Sequence, residues 1–246
     1  MGLLLALGAL CSRPETAKQK TTLAAYATDL SGRTPNQRFN AARAAQAIDG
    51  VTVAPGQTFS FNRTVRGWSA DQGFRKAPVS YDGVLVDDYG GGVCQTSTTL
   101  YNAALLAGLP ILERHAHTFA PSYAPPGRDA AVAYAGVDLR FRNTSRGPLV
   151  IHARAEGRML VCRLVGRGPL STHVVVRAER LDRFAPLPAR IPPGTGLTRA
   201  RRHRSGRDGV RVAVFRDISA PGHSVRREAI SDDTYRPISP VAWAVR

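Results

Sequence analysis

Three consecutive glycines, Gly90-Gly91-Gly92, are followed almost at once by Cys94–Leu106 (CQTSTTLYNAALL), and this junction constrains the fold more than any other feature. A glycine run cannot continue a regular element. Beyond it, Leu100, Ala103, Ala104 and Ala107 recur at helical spacing until Gly108 and Pro110 stop the pattern. The spacing predicts a helix that starts behind a glycine hinge and carries Cys94 in its first turn. The run has neither the spacing nor the Lys-Ser/Thr of a P-loop, so a phosphate cradle is not expected there.

The other elements follow from local signals. Asn36–Ala47 (NQRFNAARAAQA) predicts a second helix, ended by Asp49-Gly50, and short strands over Val51–Val53 and Gln57–Phe61 flank Pro55-Gly56. Ile111–His117 alternates so that Ile111, Glu113, His115 and His117 share one face. Val137–Phe141 places Val137, Leu139 and Phe141 inward, with Asp138 and Arg140 outward. Leu149–Ala155 and Met159–Leu164 bracket Glu156-Gly157-Arg158 as a hairpin, with Cys162 on the face of Leu160 and Leu164, a buried and inert position. A proline cluster breaks Phe184–Gly196, and Val210–Phe215 with Val225–Ile230 flank Ala220-Pro221-Gly222 as a last hairpin.

The fold class expected from these elements is α+β, mainly β. It is one mixed-sheet domain, with the Cys94 helix packed on a sheet that carries His117, plus a C-terminal β-hairpin extension. The expected organisation is an export-like and linker segment over 1–20, the main domain over 21–183, a Pro/Arg-rich linker over 184–208 and a small β extension over 209–246.

Charge and cysteine usage narrow the function. Formal net charge is +16, and from Arg163 onward 17 Arg face 7 Asp and Glu, which places +10 of that total in the C-terminal part. Such a region can meet an anionic wall polymer or a membrane surface. Outside the Arg199–Arg207 run the basic residues are scattered, with no zinc-finger or RNP-type signature, so no specific nucleic acid is expected. Three cysteines, Cys11, Cys94 and Cys162, argue against a disulfide framework. Met1–Cys11 resembles the remnant of a secretory hydrophobic region, without a basic start and too short to span a bilayer, and bulky Leu10 precedes Cys11 where a lipoprotein signal needs a small residue.

Cys94 is the candidate nucleophile. A thiolate is favoured at a helix start, where unpaired N–H groups and the dipole stabilise negative charge. The same groups can receive an oxyanion, and glycines ahead of the cysteine permit close approach of a substrate backbone. His115 and His117 are the local candidates for the base, with Glu113 as the group to orient one of them. Against this stands a small core cysteine beside two satisfied histidines, and also a zinc site built from Cys94, His115 and His117 without a CxxC or HExxH pattern.

These residues lie within a longer resemblance to the VanW family, named after an accessory gene product of vancomycin-resistance clusters. It runs through NQRFN (36–40), GVTVAPGQTFSFN (50–62), GFRKAP (73–78), GGGVCQTSTTLYN (90–102), AGLPILERHAHT (107–118), SYAPPGRDAAVAY (122–134) and DLRFRN (138–143). Thr118 and Phe119 replace the family's more usual serine and aliphatic residue, while His115 and His117 are retained. Roughly Thr21 to Val165 is family-like, which makes 21–183 a VanW-like domain. Residues 209–246 are faintly similar to the wall-associated G5 β-module.

The resemblance implies extracytoplasmic work on peptidoglycan, with stem peptides as partners and an L,D-transpeptidase-like acyl transfer. Cys94 would be the nucleophile and His117 or His115 the base. Gly91, Gly92 and the Gln95 N–H would shape the oxyanion site. Arg128 would hold a stem-peptide carboxylate, or instead pair with Asp129 in its loop. No cofactor and no metal are expected. The alternatives are a cysteine peptidase or amidase of the same polymer and a non-catalytic wall-binding accessory protein linked to glycopeptide resistance. Because the family-like part ends well before the proline cluster, a chain cut near Phe184 is expected to fold and keep its activity.

Overall fold

The computed structural model describes residues 20–81, 84–134, 136–168, 172–187, 199–204 and 206–245. The export-like segment up to residue 19 and the centre of the proline-rich linker, 188–198, lie outside the described residues. In chain order the elements are β1 (Lys20–Asp29), α1 (Pro35–Ile48), β2 (Thr52–Val53), β3 (Thr58–Ser60), α2 (Phe61–Val65), β4 (Lys76–Tyr81), β5 (Val84–Tyr89), α3 (Val93–Leu106) and β6 (Ile111–Glu113). They continue with β7 (Arg140–Arg142), β8 (Leu149–Glu156), β9 (Met159–Arg167), β10 (His173–Phe184), β11 (Arg199–Arg204), β12 (Gly209–Ser219), β13 (Arg226–Tyr235) and β14 (Val241–Val245). Among the described residues strand far outweighs helix, so the fold is α+β and mainly β.

Helix α1 begins where its sequence says it should. The Thr34 side chain accepts from Gln37 N, the Gln37 side chain returns a bond to Thr34 N, and Pro35 occupies the first turn. Its small face, Ala41, Ala44, Ala45 and Ile48, is buried in the core. There it meets the four-stranded sheet β1-β9-β8-β2, whose inward residues Leu160, Cys162, Leu164, Leu149, Ile151 and Ala153 alternate with half-buried ones. Helix α3 lies on the same sheet, and every residue from Gln95 to Leu105 is buried.

That burial includes seven polar side chains, Gln95 to Thr99, Tyr101 and Asn102. Most are spent on specific partners: Thr96 Oγ1 donates to Ala41 O at 2.9 Å, Thr99 Oγ1 to Gln95 O at 2.7 Å, and Gln95 Nε2 to Asp29 O at 2.9 Å. The Thr96 and Gln95 bonds tie α3 to α1 and β1.

The C-terminal strands form a second sheet, β10-β12-β13, and β11 pairs with β14. The hairpin expected around residues 220–222 is β12–β13. Several arginines of this sheet are matched by acids: Asp217 lies between Arg177 and Arg227, and Arg211 pairs with Asp232. Buried Arg216 reaches the end of α3, donating to Leu109 O at 2.8 Å while Glu228 balances its charge. The second sheet is thereby anchored to the first body of the fold.

Three expectations are corrected. There is no single mixed sheet: among the described residues every strand pairing is antiparallel and the strands divide over five sheets. Parallel neighbours need long crossovers, and the paired strands here are joined as hairpins or meet from distant parts of the chain. His117 lies on no strand. The alternation ends at Glu113 because the next residue, Arg114, turns inward, its side chain only 6% exposed, to meet Asp129 and Asp233. Asp138 also points inward, accepting from Ser60 Oγ at 2.5 Å and Asn62 N at 2.9 Å.

Candidate active site

The start of α3 is built by close packing. Gly92 is the N-cap at φ 111°, and a Cβ there would stand 2.2 Å from Gln37 O of α1. A Cβ on Gly91 would meet Pro78 O at 2.7 Å, and Gly91 O accepts from Asn40 Nδ2 at 3.0 Å. The two glycines therefore let α3 begin against α1 and β4, and face protein rather than a substrate channel. Cys94 is the second residue of the helix and partly exposed, with its thiol donating to Val132 O at 3.4 Å.

The loop carrying Val132 is fastened along one face of α3. Ser97 Oγ donates to Ala130 O at 2.7 Å, Ala130 N to Thr98 Oγ1 at 2.9 Å, and Asn102 Nδ2 to Arg128 O at 2.7 Å. These bonds fix the intervening Asp129, whose side chain is fully buried. Its Oδ2 accepts from His117 Nδ1 at 2.6 Å and His117 N at 2.8 Å. With Nδ1 committed, Nε2 is the nitrogen available to Cys94.

Cys94, His117 and Asp129 thus form a line of thiol, imidazole and carboxylate. Burial alone would raise the Cys94 thiol, but the hydrogen bond and charge of His117 outweigh it and hold the thiol below its ordinary value. Burial alone would lower His117, but the Asp129 bond and the Cys94 thiolate push it up to about 10. Asp129 stays below the usual carboxylate range because His117 and Arg114 overcome its burial. The two shifts favour thiolate and imidazolium together. Burial, with the nearby Asp49 carboxylate, pushes the Cys162 thiol up. Tyr123 borders the site: its ring meets His117 edge-on at 6.4 Å, and the Arg33 guanidinium lies 5.0 Å over its centroid.

The remaining candidates separate. His115 is 45% exposed, and its Nε2 meets Glu113 Oε1 at 3.1 Å, so Glu113 orients His115 and not His117. Gln95 N donates to Gly92 O at 3.1 Å and its side chain is tied to β1, which leaves it no bond for a substrate oxygen through N–H. Arg128 Nε donates to Asn102 Oδ1 at 2.6 Å, and its guanidinium lies over Tyr26. Asn102 is about 12 Å further along the helix axis than Cys94. The pair Arg128–Asp129 does not form; Asp129 pairs with Arg114 at 3.1 Å. Among the described residues no cluster of three or more His, Cys, Asp or Glu side chains is arranged to hold a metal ion.

Sequence reasoning missed Asp129 as the orienting carboxylate, because its neighbour Arg128 offered a local partner. A usable signal was the apolar run Ala130-Ala131-Val132 directly after it, which marks a carboxylate entering the interior.

A family model described as VanW like protein matches residues 36–165. An uncharacterized protein, YoaR, of Bacillus subtilis (strain 168) is 36% identical over 170 residues, covering 69% of this chain and 54% of that protein. The vancomycin B-type resistance protein VanW of Enterococcus faecalis (strain ATCC 700802 / V583) is 34% identical over 113 residues, 44% of this chain and 41% of that protein. The chain thus spans about half the length of these curated relatives or less. No solved structure matches.

Proposed function

The chain belongs to the VanW family, and from that premise we propose that it is a cysteine-dependent acyltransferase of peptidoglycan, joining stem peptides in the manner of an L,D-transpeptidase. The observation that carries this reading is the Cys94–His117–Asp129 line at the start of a helix. It supplies a nucleophile, a proton carrier and an orienting carboxylate in the order that thiol acyl transfer needs. The name of the Enterococcus relative supports a cell-wall setting.

In this mechanism the Cys94 thiolate attacks a donor peptide carbonyl. The backbone N–H of Cys94, which has no acceptor among the described residues, receives the oxyanion. The C–N bond breaks, the His117 imidazolium gives its proton to the leaving amine of D-alanine, and a thioester remains on Cys94. An acceptor amine then attacks the thioester, neutral His117 takes the proton it loses, and the thiolate departs. Arg33, which forms no ion pair among the described residues and lies over Tyr123, is the cation offered to a donor carboxylate. The reaction places the protein outside the cytoplasmic membrane, where stem peptides are crosslinked. Among the described residues no helix is long and apolar enough to cross a membrane.

The test is intact-mass analysis after incubation with a stem-peptide donor, with and without an amine acceptor. An acyl adduct on Cys94 that the amine discharges into a crosslinked product is the expected result. Discharge to free acid alone would make the protein a hydrolase. A folded Cys94→Ser chain that still crosslinks would end the cysteine reading.

A further inference from the structure

Resting on the reading of Cys94, His117 and Asp129 as the reacting line, we propose that the C-terminal sheet is part of that machinery, with Tyr235 and Asp233 of β13 as positioning residues. Both lie far beyond residues 36–165, the stretch that the family model matches.

Both side-chain oxygens of Asp129 are held. Oδ2 is taken by His117, and a carboxylate held at one oxygen alone is free to swing about its last bond. Oδ1 is held by two further donors from separate elements: the Tyr235 hydroxyl and Arg114 Nη2. Tyr235 is 1% exposed, and its oxygen accepts Gly127 N–H at 2.7 Å, so its own proton is directed to Asp129. One hydroxyl therefore fixes both the carboxylate and the loop that bears it.

Asp233 acts on charge. Arg114 Nη1 meets Asp233 Oδ1 at 2.6 Å, and Ser231 Oγ holds the other Asp233 oxygen at 2.8 Å. Without Asp233, the buried guanidinium would keep Asp129 as its one carboxylate among the described residues and compete with His117 for it. With Asp233 present, Arg114 is neutralised and the charge of Asp129 serves the imidazolium. Asp233 and Tyr235 are two residues apart on one strand and project from the same side. The loop also packs on that sheet: a Cβ on Gly127 would stand 2.4 Å from Val214 Cγ2, and Arg236 N donates to Thr118 O at 2.8 Å.

The charged and titratable groups that face the line are Arg114, Tyr235 and His117 around Asp129, Asp233, Tyr235 and Tyr101 around Arg114, and His117, Asp129 and Tyr123 around Cys94, with Arg33 over Tyr123. Both substitutions should weaken the hold on the imidazolium, and so raise the pH at which the thiol ionises. The experiment uses the full chain and its Tyr235→Phe and Asp233→Asn variants. It follows iodoacetamide alkylation of Cys94 from pH 4 to 9 by peptide mass mapping, with thermal unfolding alongside. Tyr235→Phe keeps the ring, and Asp233→Asn carries the test should the first variant not fold.

The expected result is an acidic limb moved to higher pH, with alkylation near pH 6 slowed ~10-fold for each unit of displacement. A depressed parent limb retained by both folded variants overturns this inference alone, since a purely structural role lowers the unfolding temperature without moving the limb. An ordinary limb in the parent overturns the thiolate reading, and this inference with it.

Discussion

Replacing Asp129 with Asn keeps the shape of the side chain and removes its charge. In the parent the buried carboxylate accepts from His117 N, His117 Nδ1, Arg114 and Tyr235. An amide has one acceptor oxygen and an NH₂ group, so in either orientation its NH₂ meets donors. A donor left unsatisfied in this setting costs about 1–3 kcal/mol. Removing one partner from a buried ion pair costs about 3–5 kcal/mol. At roughly 2–4 °C per kcal/mol for a chain of this size, unfolding should drop by about 10 °C. His117 should fall from about 10 toward its ordinary 6.5. A full return is worth about 5 kcal/mol, an upper bound because the Cys94 thiolate also supports the imidazolium. Because the His117 pKa is raised, the stability due to its charged form is complete below pH 6.5 and fades as pH rises toward about 10. The assay is NMR titration of ring-labelled histidine, with the His117 signal assigned through His117→Gln, together with donor turnover. Turnover should fall ~10²–10⁴-fold. Parental turnover with an unmoved imidazole titration would refute the role given to Asp129.

In competitive alkylation of the folded chain, Cys94 should label well before Cys162, whose thiol is buried among aliphatic side chains and pushed up; equal labelling would remove the distinction between them. His117→Gln should cut turnover ~10²–10⁴-fold, whereas His115→Gln, at an exposed ring paired with Glu113, should leave it roughly unchanged; equal losses would refute the assignment. A chain ending at Phe184 lacks Tyr235, Asp233 and Arg216, so it should unfold at lower temperature and lose rapid Cys94 alkylation. Parental behaviour of that chain would restore the view that the C-terminal sheet is dispensable.

Where the signals were local, the chain was legible. Helix α1 has its capping box and alanine face within 15 residues, and the β8–β9 and β12–β13 hairpins show alternation on either side of a turn. Strand β1 gave no such signal. Its Thr- and Ala-rich sequence has a half-exposed pattern, and its partner β9 lies more than a hundred residues away. Helix α2 is five residues long, too short for periodicity to register. Over residues 111–117 the alternation was real for three residues and then misleading, because buried Arg114 answers to Asp129 and Asp233 rather than to the strand.

The site shows the same limit more sharply. Cys94 could be singled out because a helix start behind glycines is a local event, but its setting could not. The glycines looked like room for a substrate, yet the space they open is filled by Gln37 O and Pro78 O. What separates Cys94 from Cys162 is not the helix alone but an imidazolium 23 residues on. That imidazolium depends on a carboxylate 12 residues beyond it, and the carboxylate is held by a hydroxyl 106 residues further still. Each step is a long-range contact between side chains that look ordinary in their own neighbourhoods. A buried carboxylate flanked by Arg114 would be captured by it unless a second acid intervened, so the position of Asp233 follows from the need to keep Asp129 for His117. That requirement ties the reactivity of the thiol to the last described sheet strand that packs on the site, and makes the ionisation of Cys94 a direct readout of whether that sheet is in place.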